Sequence, residues 1–251
     1  MDFVWIYAKR FSFWDRSGQF NELDYSMRSV RQNYQGDVRC FVIGDKPMPE
    51  LDAIHLEAPE VVMDDPKFGQ PQHFDLNNKF NVLLDSEIGE EFVLMYDDIF
   101  MLKPTTKEEL MVTYGRCEVT DPMAYIKTRD GGTPYKRLWV STYEYIITYR
   151  HSKGLKTYDW ETHLPRFMTK TNLKWVFDKL NVANLPRMQT SLYTAHFTEE
   201  TTIVPEGFQS DIYTHTAGMD FDKEFACHWM NVGDNVIVTE FIERMEDAFG
   251  K

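Results

Sequence analysis

The chain has 251 residues, 43% of them hydrophobic and 15% aromatic, with a formal net charge of −13. That is enough apolar material for one large folded α/β domain and excludes a disordered chain. The acidic balance disfavours nucleic acid as the main partner, because phosphate neutralisation requires clustered Lys and Arg.

Phe3 to Ala8 reads as a short buried strand. Leu23, Met27, Val30 and Tyr34 then recur at helical spacing from Glu22, and Asn33 to Gly36 supplies the stop. Val38 to Gly44 is a strand of β-branched and aromatic character, and Ala53 to Leu56 is a shorter one. Residues 57 to 74 contain Pro59, Pro66, Gly69 and Pro71 and read as a loop. A helix from about Asp75 to Ser86 and a strand from Phe92 to Tyr96 follow. This alternation predicts a parallel sheet with helices packed on it. Farther on, Pro134 to His151, Lys170 to Leu180 and Asn235 to Phe249 carry helical patterns, and the stretches between them read as loops or strands. The expected organisation is an α/β core over 1–125 and a helix-rich portion over 126–251, packed on that core.

Cys40, Cys117 and Cys227 are widely spaced and lack CxxC pairing, which argues against a disulfide framework and a zinc site. The apolar run before Lys9 and Arg10 is too short for a signal-peptide core. No window approaches the roughly 20 apolar residues of a membrane span. A cytoplasmic location without a membrane span is expected.

The run Phe92 to Tyr96 delivers two adjacent carboxylates, Asp97 and Asp98, into an apolar context. Such acids cost desolvation energy unless a cation or hydrogen-bond donors compensate them. Ligands of α/β sheets bind at the C-terminal ends of the strands, and hard oxygens suit Mg²⁺ or Mn²⁺ shared with a diphosphate. Asp64 and Asp65 form a rival pair, but Pro66 follows and turn chemistry explains them better.

Asp75 is a candidate N-cap, and Asn78 and Lys79 sit where a helix start can cradle phosphate or sugar hydroxyls. Solvated polar residues on a surface helix would look the same. Glu161, His163 and Arg166 fall in a tight loop with Pro165. His163 is a candidate base toward an acceptor hydroxyl and Arg166 a candidate phosphate-holding group, though a lone loop histidine is more often structural. His228 is a candidate metal ligand or phosphate contact, against packing beside Trp229. The aromatic residues Tyr135, Trp139, Tyr143 and Tyr145 fit core packing better than sugar stacking. GxGxxG, Walker A, GxSxG and HExxH motifs are absent.

The helix Glu22-Leu23-Asp24-Tyr25-Ser26-Met27-Arg28-Ser29, the Asp45-Lys46-Pro47 turn, Asn77-Asn78-Lys79 and Tyr96-Asp97-Asp98 together resemble the conserved region of Stealth proteins. These are sugar-phosphate transferases of capsule and exopolysaccharide assembly. His163-Leu164-Pro165 is similar to a later His-Pro element of that family. The strand with its acid pair also resembles GT-A glycosyltransferases, whose DxD motif holds the metal and the donor diphosphate. Tyr96 stands where these families carry a polar residue.

The resemblance implies a GT-A-like α/β fold, a mostly parallel sheet flanked by helices with a helix-rich C-terminal half. It implies Mn²⁺ or Mg²⁺ as cofactor, with Asp98 as metal ligand and Asp97 on the metal or the donor ribose. Asn78 and Lys79 would contact the donor, supported by Arg28. His163 or Glu161 would serve the acceptor, and His228 would be a third metal ligand. The implied activity is sugar transfer from a nucleotide-sugar donor to a carbohydrate or other hydroxyl acceptor. The alternatives are Stealth-type sugar-1-phosphate transfer, a non-catalytic carbohydrate- or nucleotide-binding domain, and a phage-type enzyme acting on hydroxylated DNA bases.

Overall fold

A computed structural model describes residues 1–8, 17–18, 20–45, 48, 50–61, 72–129, 133–182, 185, 187–213 and 219–250. Asp64, Asp65, Lys46 and Pro47 lie outside the described residues. The first half contains β1 (Asp2–Ile6), α1 (Glu22–Asn33), β2 (Arg39–Gly44), β3 (Ile54–Glu57), α2 (Gln72–Asp85) and β4 (Glu91–Met95). Short elements follow: β5 (Ile99–Met101), α3 (Lys107–Leu110), β6 (Tyr114–Gly115) and α4 (Pro122–Arg129). Then come α5 (Pro134–Ser152), β7 (Arg166–Thr169), α6 (Lys170–Leu180), α7 (Gln189–Phe197) and β8 (Thr202–Ile203). The chain closes with β9 (Gln209–Ile212), α8 (Phe221–Glu224), β10 (Trp229–Val232), a 3-10 turn at Asp234–Val236 and α9 (Thr239–Phe249).

The architecture is α/β, with a mostly parallel central sheet flanked by helices. Its strand order is β3-β2-β1-β4-β7. The first four strands are parallel, with Val4 paired to Phe41 on one side and Leu94 on the other, while β7 joins antiparallel through Met168 and Phe92. Both faces of the sheet are buried, which is why these strands read as continuous apolar runs. Val4, Phe41 and Leu94 face Phe80 and Leu83 of α2 and Leu173 and Val176 of α6. Phe3, Trp5, Val42, Val93 and Met95 face Leu23, Met27 and Val30 of α1.

Helix α1 starts where Asn21 accepts the Asp24 N–H at 3.1 Å, with Glu22 and Asp24 favourably placed in the first turn. Its small polar residues serve a second sheet, of order β5-β10-β9. Ser26 donates to the Ile99 carbonyl at 2.5 Å, Ser29 accepts from Met101 N–H at 2.9 Å, and Asn33 donates to the Met101 carbonyl at 2.8 Å. The free edge of β5 is thus satisfied by helix side chains, as a buried edge requires. Strand β10 pairs antiparallel with β5 and parallel with β9. Phe241 and Met245 of α9 close a third apolar cluster over Phe20, Phe100 and Met230.

Several sequence expectations are corrected. Asp75 is not an N-cap, because α2 begins at Gln72 and places Asp75 within its first turn. The expected C-terminal helix over Asn235 to Phe249 divides into the 3-10 turn and α9. Strands β7, β9 and β10 and helix α7 occupy the stretches between the later helices that read as loops and strands without bounds, because four-residue strands and a nearly all-buried helix carry little amphipathic period. Among the described residues no helix is long and apolar enough to cross a membrane.

Candidate functional site

The four parallel strands end along one edge, and β4 delivers Tyr96, Asp97 and Asp98 there. The chain turns at once, with Ile99 N–H donating to the Tyr96 carbonyl at 3.2 Å, and enters β5 in the second sheet. The acid pair therefore occupies a turn between two sheets. The indole of Trp5 donates to Ser26 Oγ at 2.9 Å, and Ser26 in turn holds Ile99, which fixes the exit of that turn.

Both carboxyls are only partly exposed, and both titrate high. Burial pushes Asp98 up to about 6, against a hydrogen bond from Asn231 that favours its charged form. Burial raises Asp97 well above the ordinary carboxylate range, and the charges of Asp98, Glu22 and Asp234 raise it further. These four acids line one cavity of about 110 Å³ with Phe100, Val232, Gly233 and Ile237. Four carboxyl groups thus share one small cavity, and their mutual repulsion favours a bound cation.

Asp97 also lines a second, wider cleft of about 280 Å³ with Ile6, Ala8, Leu76, Tyr96 and the Asp75–Lys79 pair. Lys79 is fully buried and ion-paired to Asp75 one helical turn away. Asp75 is itself held by the Val61 N–H at 3.0 Å. The neighbouring asparagines diverge. Asn78 turns outward and donates to the Pro59 carbonyl at 3.0 Å, whereas Asn77 is buried between Gln189 and the Val182 carbonyl. Lys79 thus shares the cleft with Asp97, and Asn78 does not line it.

His163 has φ 47°, a left-handed conformation uncommon for a non-glycine residue. Its Nδ1 lies 2.9 Å from the Tyr213 hydroxyl. Burial lowers its basicity and so do Arg116 and Arg166, while Asp211 and Asn231 act the other way. Around it, Gln209 donates to Asp211 at 2.7 Å and to the His163 carbonyl at 3.3 Å, and Arg116 pairs with Asp211 at 3.3 Å. Asn231, on β10, spans the distance to the acids. Its Nδ2 donates to the Asp98 carbonyl at 3.2 Å, while its fully buried Oδ1 has no hydrogen-bond donor among the described residues.

Glu161 and Arg166 gather around Tyr96, whose hydroxyl both charges influence. They are 3.9 Å apart, with Glu161 accepting from Ser191 and Arg166 donating to the Trp160 carbonyl and, at 3.3 Å, to Thr194. Two expected site residues lie elsewhere. Arg28 is committed to Asp24 at 2.6 Å and to the Gly250 carbonyl at 2.9 Å. His228 bonds Thr105 at 2.8 Å and its own carbonyl accepts from Leu102 N–H. Because β10 runs antiparallel to β5, its Asn231 end meets Asp98 and its His228 end points away. Sequence reasoning missed Glu22, Asp234, Tyr213, Asp211 and Asn231. Only Asn231 had a readable signal, a polar residue inside the apolar run Trp229 to Val232.

Among the described residues no group of three or more His, Cys, Asp or Glu side chains has the arrangement of a complete metal site. Asp97 and Asp98 offer two hard oxygens, which fits a Mg²⁺ or Mn²⁺ ion that takes its remaining ligands from water and substrate phosphate.

The sequence matches no family model and no curated protein. Among solved structures the chain is similar to the galactosyltransferase LgtC in complex with donor and acceptor sugar analogs, at 8% identity and TM-score 0.45, over 100% of this chain and 97% of that one. It is also similar to mouse xyloside xylosyltransferase 1, at 9% identity and TM-score 0.42, over 95% and 100% of the two chains. A third likeness is to the bifunctional glycosyltransferase WbbM, at 8% identity and TM-score 0.43, over 92% of this chain and 45% of that one.

Proposed function

We propose that the protein is a glycosyltransferase that uses a nucleotide-sugar donor and a divalent cation, Mn²⁺ or Mg²⁺. One observation carries this reading: Asp97 lines two cavities of opposite character at the C-terminal edge of the sheet. The acidic cavity suits a cation, and the wider, more apolar cleft with its buried Lys79 suits a nucleoside and an adjoining phosphate.

In this reading Asp98 and Asp97 would hold the ion, which when bound offsets charge developing on the leaving diphosphate. Lys79 neutralises donor phosphate from the cleft side. Tyr96 offers an aromatic wall, with Arg166 and Glu161 behind it. His163 lies on the acceptor side, across Asn231 from the acids. Sugar-1-phosphate transfer of the Stealth type would use the same donor site and differ in which bond of the diphosphate is broken.

Calorimetric titration with UDP, GDP, CDP and their common sugars, with Mn²⁺ and again with EDTA, tests the donor site. The expected result is metal-dependent binding of one nucleotide that Asp98→Ala abolishes. Binding that ignores EDTA and survives Asp98→Ala would remove the metal site from the reading.

A further inference from the structure

We propose that Tyr213 is the acceptor-facing catalytic group of this transferase site, and that Asn231 is the positioning residue that holds His163 behind it. The inference rests on the transferase reading above and adds to it the residue that meets the acceptor.

Asn231 Oδ1 is fully buried and has no donor, and buried acceptors in folded proteins are almost always matched. Its amide nitrogen already points to the Asp98 carbonyl. The His163 ring interacts with the Asn231 side chain, and an N–H of that ring is the donor that would match the orphaned oxygen. An amide oxygen only accepts, so the ring nitrogen facing it must carry hydrogen. With Nδ1 engaged by Tyr213, that nitrogen is Nε2. Nδ1 is then the accepting nitrogen, and the Tyr213 hydroxyl donates to it.

In this arrangement neither nitrogen of His163 is free for an acceptor. The group at the surface is Tyr213, 44% exposed. Gly233 keeps it there: a Cβ at that position would lie 3.1 Å from Tyr213 Cδ1 and 3.3 Å from its Cα. The glycine lets β10 and Tyr213 approach closely, and the ring stays in line with His163.

The acceptor hydroxyl gives its proton to the Tyr213 oxygen, while that oxygen's own proton passes to His163 Nδ1. The acceptor oxygen bonds to the anomeric carbon, and the bond from that carbon to the diphosphate oxygen breaks with its electron pair on the diphosphate. His163 is left as imidazolium with Nε2–H on Asn231 Oδ1, and the nearby carboxylate of Asp211 offsets its charge.

Long-range ¹⁵N–¹H NMR on the ligand-free protein reads the His163 tautomer directly. Wild type is expected in the Nε2–H form. Asn231→Ala should give exchanging tautomers, and Asn231→Asp, which keeps an oxygen at the position, should restore the Nε2–H form. A wild-type Nδ1–H tautomer would overturn the proposal. The kinetic arm uses the nucleotide sugar and Mn²⁺ identified by calorimetry. Tyr213→Phe should lower kcat for transfer about 100-fold, with the Kd for the Mn²⁺–nucleotide unchanged within twofold. Undiminished transfer, or an equal loss of nucleotide binding, would sink this proposal alone. A wild type that binds none of the nucleotides would sink the transferase reading and this proposal with it.

Discussion

The side chain of Asn231 donates to the main-chain carbonyl of Asp98 across 3.2 Å, although 133 residues separate them in sequence. The same carbonyl accepts the Val232 N–H at 3.1 Å. The turn that carries the acid pair is therefore held from β10, by one backbone and one side-chain donor. The geometry of the acids depends on an element from the last quarter of the chain.

Asp98 titrates near 6 in the folded protein, against 3.8 ordinarily. The folded state holds this proton more tightly than the unfolded chain does. Stability from this group is fully present below about pH 4 and is lost as the pH rises through 6. Asp98→Asn should therefore raise Tm at pH 7.5, by up to about 3 kcal/mol of stability, and leave it unchanged at pH 4. Millimolar Mn²⁺ at pH 7.5 should raise the wild-type Tm and leave that of Asp98→Asn alone. Equal effects of the substitution at both pH values would show that Asp98 is already compensated.

Lys79 and Asp75 form a buried ion pair. Lys79→Met strands the Asp75 carboxylate and should cost about 3–5 kcal/mol, read by urea denaturation. The double change Lys79→Met with Asp75→Leu should recover part of that stability while nucleotide affinity stays lost. If the double variant binds nucleotide as wild type does, Lys79 serves the fold alone.

His196 stacks on Tyr149 at 3.9 Å and lies 3.0 Å from the Tyr145 hydroxyl. Burial, followed by the charge of Arg150, lowers its pKa to about 4. The unfolded chain then binds the proton more tightly, so stability declines as pH falls from about 6.5 to 4. This contribution has the opposite sign to that of Asp98 over much the same range. His196→Gln should remove about 2 kcal/mol of that decline. Melting curves from pH 4 to 7 check this, and a parallel pH dependence in both proteins would contradict it.

Gly233→Ala should destabilise by about 1–2 kcal/mol, because the new methyl group meets Tyr213 backbone as well as ring. It should also disturb the Tyr213–His163 hydrogen bond, visible as a shifted His163 ring resonance. A variant with unchanged Tm and unchanged resonance would show that β10 yields without moving the tyrosine.

The parallel core was legible because its strands are buried on both faces and its helices α1, α2 and α6 keep a clear apolar stripe. Asp97 and Asp98 stood out as charges in apolar sequence, and their carboxyls are partly buried at the end of β4. Ser26 and Ser29 carried the family-like pattern without a visible reason, which the structure gives as hydrogen bonds to Ile99 and Met101. The Glu161–Arg166 pair was placed in one loop, and its convergence on Tyr96 follows from β7 lying beside β4. What sequence could not show was the direction of β10. A four-residue strand has no period long enough to reveal which end meets its partner, so His228 drew attention and Asn231 did not.

The pairing of β10 with β5 also bears on how the chain acquires its site during synthesis. The four parallel strands of the sheet lie within the first hundred residues and are joined by local connections, so they can collapse while the rest is still being made. Asp98 then waits some 130 residues for Asn231. A nascent chain would carry a formed scaffold whose acid turn is unbraced until β10 docks. Ordering assembly in this way leaves the acid turn unset in every partly made copy.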